Sequence, residues 1–234
     1  VPIPGDEGAF GALAVVHSCA GTAIDPAQLD ALTTLGALAS VALRNADLRD
    51  SQRNFFAHVT EILVYALDTH LDFNTGHGHR VARYANRLGR EMGLGEADLQ
   101  RLHFAAMLHD IGMLKFDRRV KMTAKSCRAH PQLGARMLGG IRLWEDLAPI
   151  VHSHHERWDG GGYPDGREAE DIPLLSRIIG LCEAFDAITS DSSYKIASSG
   201  EDAMAELEDG AGSQFDPELV STFRTLFRRG EIET

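Results

Sequence analysis

From about Asn54 onward, apolar residues recur at helical spacing with hardly an interruption, and this restricts what the chain can fold into more than any other property. Phe55, Phe56, Val59, Ile62, Leu63, Ala66 and Leu67 share one helical face, as do Val81, Tyr84, Ala85, Leu88 and Met92. Further helices are predicted at roughly 96–110, 131–141, 145–156, 173–190, 201–208 and 217–228, the last opened by Asp216 as cap and Pro217 in the first turn. Residues 157–172, rich in Gly, Pro and Asp, form the one long loop. With 234 residues, 44% of them hydrophobic, the chain is long enough to bury a real core.

The first 50 residues read differently. Gly11 to Val16 is a short apolar run bounded by turn residues, which predicts a lone buried strand. Asp25-Pro26 then opens a helix carrying Leu29, Leu32, Leu35, Leu38, Ala39 and Leu43. A single strand cannot satisfy its own edges or build a core, so residues 1–48 are expected to be the tail of another domain. The predicted fold class is all-α, a helical bundle from residue 49 to 234, with a short N-terminal strand and a long connector helix before it.

The formal charge of -11 argues against duplex nucleic acid as a partner, because that affinity comes from neutralising many phosphates with Lys and Arg. A small phosphorylated ligand remains compatible, since bound cations can supply the countercharge. The apolar run Ala31 to Leu43 is broken by Thr33, Thr34 and Ser40 and falls short of the roughly 20 residues of a membrane span, so none is expected. Three widely spaced cysteines (Cys19, Cys127, Cys182) and the lack of a leader-like start favour a reducing cytoplasm.

The chemistry is concentrated in the histidines. Of eleven, those at 77, 79, 103, 109, 130, 152, 154 and 155 fall in one stretch of the chain. His109-Asp110 ends an apolar helical pattern just before Gly112, so both side chains can leave the helix end toward one site. In a helix His154 and His155 would point about 100° apart, which suits two metals, or a metal and a phosphate. His109-Asp110 alone reads as an ordinary hydrogen-bonded histidine and His154-His155 is the stronger signal; together, with nearby carboxylates and no thiolate, they predict a site for divalent transition metals. Gly160-Gly161-Gly162-Tyr163-Pro164 follows as a turn.

These residues resemble an HD-GYP domain, a branch of the HD phosphohydrolase superfamily that hydrolyses cyclic di-GMP. The resemblance runs over about residues 55–228 through Gly76-His77 with Arg80-Val81, His109-Asp110-Ile111-Gly112, His130-Pro131 with Gly134, His154 to Pro164, Ile172-Pro173 with Arg177, Phe185-Asp186-Ala187 and Phe215-Asp216-Pro217. It implies metal ligands at His77, His109, Asp110, His130, His154 and His155. The last acidic ligand falls at Glu183, where the family normally has aspartate, with Asp186 as the fallback. Phe73 stands where some members carry a glutamate for a third metal, so two divalent ions are expected, iron or manganese by the resemblance, with zinc or nickel also allowed by ligand type. Asp110 would bridge them, and a shared water would attack phosphorus.

The resemblance also implies substrate contacts at Arg157, Gly162, Tyr163, Pro164 and Lys195, and docking of diguanylate cyclase domains on the loop at Tyr163. Arg177 is a further cation that would either face substrate or pair with a carboxylate. Two departures bear on activity. Met113 replaces the family's phosphate-contacting lysine, with Lys115 the nearby substitute beside the catalytic pair His109 and Asp110. The segment from His109 to His130 is shorter than usual, and Ser192 stands in a stretch where the family has more cations. The expectation is a cyclic di-GMP phosphodiesterase; the alternatives are a degenerate receptor or adaptor with little turnover, and a hydrolase of another nucleotide. Residues 1–48 resemble the end of a GAF sensor domain, whose connector helix would pair with a second copy.

Overall fold

The computed structural model describes residues 1–6, 8–14, 25–71, 75–117, 127–190 and 197–233. Cys19, Phe73, Ser192, Lys195 and the Val15-Val16 end of the expected strand lie outside them. The chain divides into two compact units, Val1–His58 and Val59–Thr234.

In the first unit β1 (Pro2–Pro4) pairs antiparallel with β2 (Ala9–Ala12), which shares only Gly11 and Ala12 with the expected strand and is exposed where the sequence predicts a lone buried strand. The short hairpin satisfies the edge that an isolated strand would leave bare. Helix α1 (Pro26–Leu71) starts at a reciprocal cap, in which Asp25 Oδ1 accepts from the Gln28 amide at 2.8 Å and the Asp25 amide donates back to Gln28 Oε1 at 3.1 Å. The two helices read from sequence on either side of residues 50–54 are one. The polar tract Arg44 to Asn54 holds neither Gly nor Pro, so nothing in it breaks the helix.

The second unit is helical. Helices α2 (His77–Glu91), α3 (Glu96–Leu108), α4 (His130–Gly139), α5 (Ala148–His152), α6 (Leu174–Thr189), α7 (Gly200–Asp209) and α8 (Pro217–Arg228) follow, with 3-10 turns at Ile111–Lys115 and Ala169–Asp171. Its centre is aromatic. Phe185 on α6 meets Tyr84 of α2 edge-on at 5.4 Å between ring centroids and Phe223 of α8 at 5.1 Å. Asp216 caps α8 by accepting from the Glu218 amide at 2.9 Å, as the Asp-Pro pair predicts.

The expected helix 145–156 is much shorter. Residues Ile141 to Leu147 run in tight turns, regular helix spans only Ala148–His152, and Ser153 to Glu156 form another turn, closed from the Glu156 amide to Ser153 O at 3.1 Å. His154 and His155 therefore do not diverge as they would in a helix; their rings tilt toward each other with centroids 4.2 Å apart. Among the described residues no helix is long and apolar enough to cross a membrane.

Candidate metal centre

Glycines let the segments carrying the histidines approach closely. A Cβ at Gly112 would lie within 2.1 Å of His130 O, and one at Gly180 within 2.6 Å of His154 O. Any other residue at either place would push apart two segments that both contribute to the site.

The result is two groups of potential ligands. His77, His109 and Glu183 form one, and His130, His154 and His155 the other, each with its ligand atoms within 4.8 Å of one another. Asp110 faces both groups, with Oδ1 3.1 Å from His130 Nε2 and Oδ2 3.6 Å from His109 Nε2. Glu183 also reaches across, its Oε1 lying 3.7 Å from His155 Nε2.

The tautomers follow from what lies behind the rings. Nδ1 of His109, His130 and His154 donates to Ala106 O, Cys127 O and Val151 O at 2.7, 2.6 and 2.6 Å, and His77 Nδ1 faces Asp186 Oδ2 at 2.7 Å. Carbonyl and carboxylate oxygens only accept, so each Nδ1 carries the proton and each Nε2 turns a lone pair inward. Those lone pairs meet: Nε2 of His77 and His109 are 3.3 Å apart, and Nε2 of His130 and His154 are 3.1 Å apart. Facing lone pairs repel unless a cation lies between them, so the donor set fits two metal ions.

For His154 and His130 the electrostatics agree with that reading. Burial holds His154 well below the ordinary histidine range, and the surrounding imidazoles add to the effect. Burial also lowers His130, against the pull of Asp110. Asp110 lies below the usual carboxylate range; burial alone would raise it, but His109, His130, His77 and His155 outweigh that. His77 moves the other way, its burial overcome by the hydrogen bond to Asp186 and by the Asp110, Asp186 and Glu183 charges.

Asp186 is turned away from the two groups. Besides His77 it accepts from Arg80, Nε to Oδ1 at 2.6 Å and Nη2 to Oδ2 at 3.0 Å, and it is fully buried. It orients the His77 ring from behind, a role typical of the carboxylate partner of a ligating histidine. Sequence reasoning did not assign Arg80 this part, although its place one helical turn after His77 was visible.

The glycine loop is held by Glu156, whose carboxylate accepts from the amides of Asp165, Gly166 and Arg167 at 2.7 to 3.2 Å. At Gly162 a Cβ would sit 2.3 Å from the Arg157 amide nitrogen, so the loop can close here only with glycine. Tyr163 precedes Pro164 across a cis bond and stacks on His155, with centroids 4.9 Å apart. Burial pushes its phenol up to about 12. The other expected contacts are placed as follows. Arg157 is forked onto Asp159 at 3.0 and 2.6 Å and reaches Gln214 at 3.1 Å. Arg177 pairs with Asp216 at 2.6 Å and lies over Trp158. Lys115 is exposed at the end of its turn, and Met113 is buried with Leu67 and Leu71 in an apolar cluster.

Residues 61–219 match the family model described as HD domain. The chain is 33% identical to the cyclic di-GMP phosphodiesterase of Thermotoga maritima over 74% of its own length and 50% of that protein. It is 31% identical to the 3'3'-cGAMP-specific phosphodiesterase 3 of Vibrio cholerae over 68% of its length and 36% of that protein. It thus spans between about a third and a half of these relatives. A solved structure, a cyclic GMP-AMP specific phosphodiesterase of Vibrio cholerae, shares the fold with a TM-score of 0.61 at 24% identity, over 74% of this chain and 49% of that one. With its helices placed as in that structure and more than half its length matching the family model, the chain belongs to the HD-domain family.

Proposed function

We propose that this chain is an HD-GYP-type phosphodiesterase that hydrolyses cyclic di-GMP. The observation that carries the proposal is the pair of histidine groups with Nε2 lone pairs converging on either side of Asp110. His77, His109 and Glu183 would hold one divalent ion, His130, His154 and His155 the other, and Asp110 both, with iron or manganese the metals. Such ions, when bound, supply Lewis acidity to the phosphate and acidify water at neutral pH. The chain's own part is positional: backbone carbonyls and Asp186 fix the imidazoles, and Glu156 fixes the loop that brings Tyr163 over His155. The Thermotoga relative supports cyclic di-GMP as substrate, and the Vibrio relative supports 3'3'-cGAMP as the next candidate.

One observation favours a second reading, a receptor or adaptor with little turnover. Met113 contributes to an apolar cluster where the family pattern has a cation, and losing one transition-state contact commonly costs about 10²-fold or more in rate. The loop at Tyr163, continued by the exposed residues Asp165 to Glu168, would be the surface offered to diguanylate cyclase domains.

We assign residues 1–48 to the output end of a GAF-like sensor and 49–234 to the HD-GYP domain, so that α1 links signal to site. Leu38, Val41, Leu48 and Phe55 follow heptad spacing along α1 and are 58 to 65% exposed, which supports pairing with a second copy.

The test is incubation of protein loaded anaerobically with ferrous iron, and separately with manganese, with each cyclic dinucleotide, following products by chromatography. Turnover is expected, and it should vanish in His154→Ala. Metal retained without turnover of either nucleotide would replace the phosphodiesterase reading with the receptor.

A further inference from the structure

A cyclic dinucleotide carries two phosphodiesters, and only one can react at the metal centre at a time. The other needs a countercharge of its own. Most cations described near the site are already engaged: Arg80 by Asp186, Arg157 by Asp159 and Gln214, Arg177 by Asp216. An arginine forked onto a carboxylate has little left to offer a phosphate.

Arg128 is different. It precedes His130 by two residues, is exposed, and places its guanidinium carbon 5.2 Å from the centroid of the Tyr163 ring. No carboxylate among the described residues forms an ion pair with it. Tyr163 in turn lies nearly parallel to His155, at 28° with centroids 4.9 Å apart. A guanidinium held over an aromatic ring by cation–π attraction uses no N–H acceptor for that contact, which leaves its N–H groups for an anion. Tyr163 contacts both Arg128 and His155, so the guanidinium meets the site at its Tyr163 edge.

We propose that Arg128 binds the second, non-reacting phosphate of the cyclic dinucleotide, with Tyr163 holding it in place. The arrangement selects substrates carrying two phosphates over simple diesters. This inference rests on the phosphodiesterase reading above, so its test separates the two.

Metal-loaded wild type, Arg128→Ala and Arg128→Lys are compared on cyclic di-GMP and on bis(4-nitrophenyl) phosphate, which has a single phosphate. The ratio of kcat/KM for the dinucleotide to that for the simple diester is expected to fall about tenfold or more in Arg128→Ala, mostly through KM, as loss of a charge-assisted contact requires. Arg128→Lys should recover part of it, since charge is kept while the stacked fork is lost. Metal content should be the same in all three. A ratio that does not move, or an equal loss on both substrates, overturns the inference while leaving the phosphodiesterase in place. If wild type turns over neither substrate, the phosphodiesterase reading falls, and calorimetric titration with cyclic di-GMP decides for Arg128. A Kd about tenfold weaker in Arg128→Ala supports the second-phosphate contact, and equal or absent binding in both overturns it.

Discussion

At the scale of single residues, the site is built by constraining the back of each ring so that its front is available. His109, His130 and His154 each donate Nδ1 to a carbonyl three residues earlier, a bond that the local turn makes without help from elsewhere. His77 alone relies on a distant carboxylate, Asp186, which also pairs with Arg80. Asp186→Asn keeps the size but replaces the carboxylate with an amide that cannot satisfy both His77 and Arg80. Metal affinity at the His77, His109 and Glu183 group should drop about 10–100-fold. Metal analysis after dialysis should then find one ion retained by the His130 group and the other lost. The choice between Glu183 and Asp186 was open in the sequence, because both are carboxylates on one helix and only their surroundings differ. In the structure Glu183 faces the histidines and Asp186 faces Arg80.

At the scale of elements, most helix starts were legible because they are local. Asp216-Pro217 and Asp25-Pro26 cap helices through contacts within a few residues. The misreadings have equally local causes. The polar tract Arg44 to Asn54 within α1 reads as a break in the sequence, and the hairpin partner Pro2–Pro4 is hidden by prolines that rarely mark a strand. The short α5 was not legible, since the turn at Ser153 exists to let α6 approach His154 O at Gly180. Gly180→Ala would force a Cβ against that carbonyl. It should cost about 1–3 kcal/mol in chemical denaturation, as overpacked cores do, and it should lower metal occupancy because Glu183 rides on the same helix.

At the scale of the whole molecule, the exposed heptad positions of α1 carry the remaining consequence. Asn45 and Gln52 alternate with Val41, Leu48 and Phe55 in the same register, and polar residues in such a seam set pairing register at some loss of stability. Sedimentation equilibrium should therefore show a dimer that dissociates with dilution, and Leu48→Glu with Phe55→Glu should give a monomer whose helical content is unchanged. A wild-type monomer at all concentrations would remove the second-copy pairing. By itself the sequence determined the helical class, the supply of histidines and carboxylates and the glycine loop, because these follow from residue identity and from neighbours a few positions away. Only the tertiary structure decided which carboxylate turns inward, which histidines share a group and which arginines are already paired. Those outcomes depend on contacts such as His77 with Asp186, 109 residues apart, whose distance and direction no local spacing encodes.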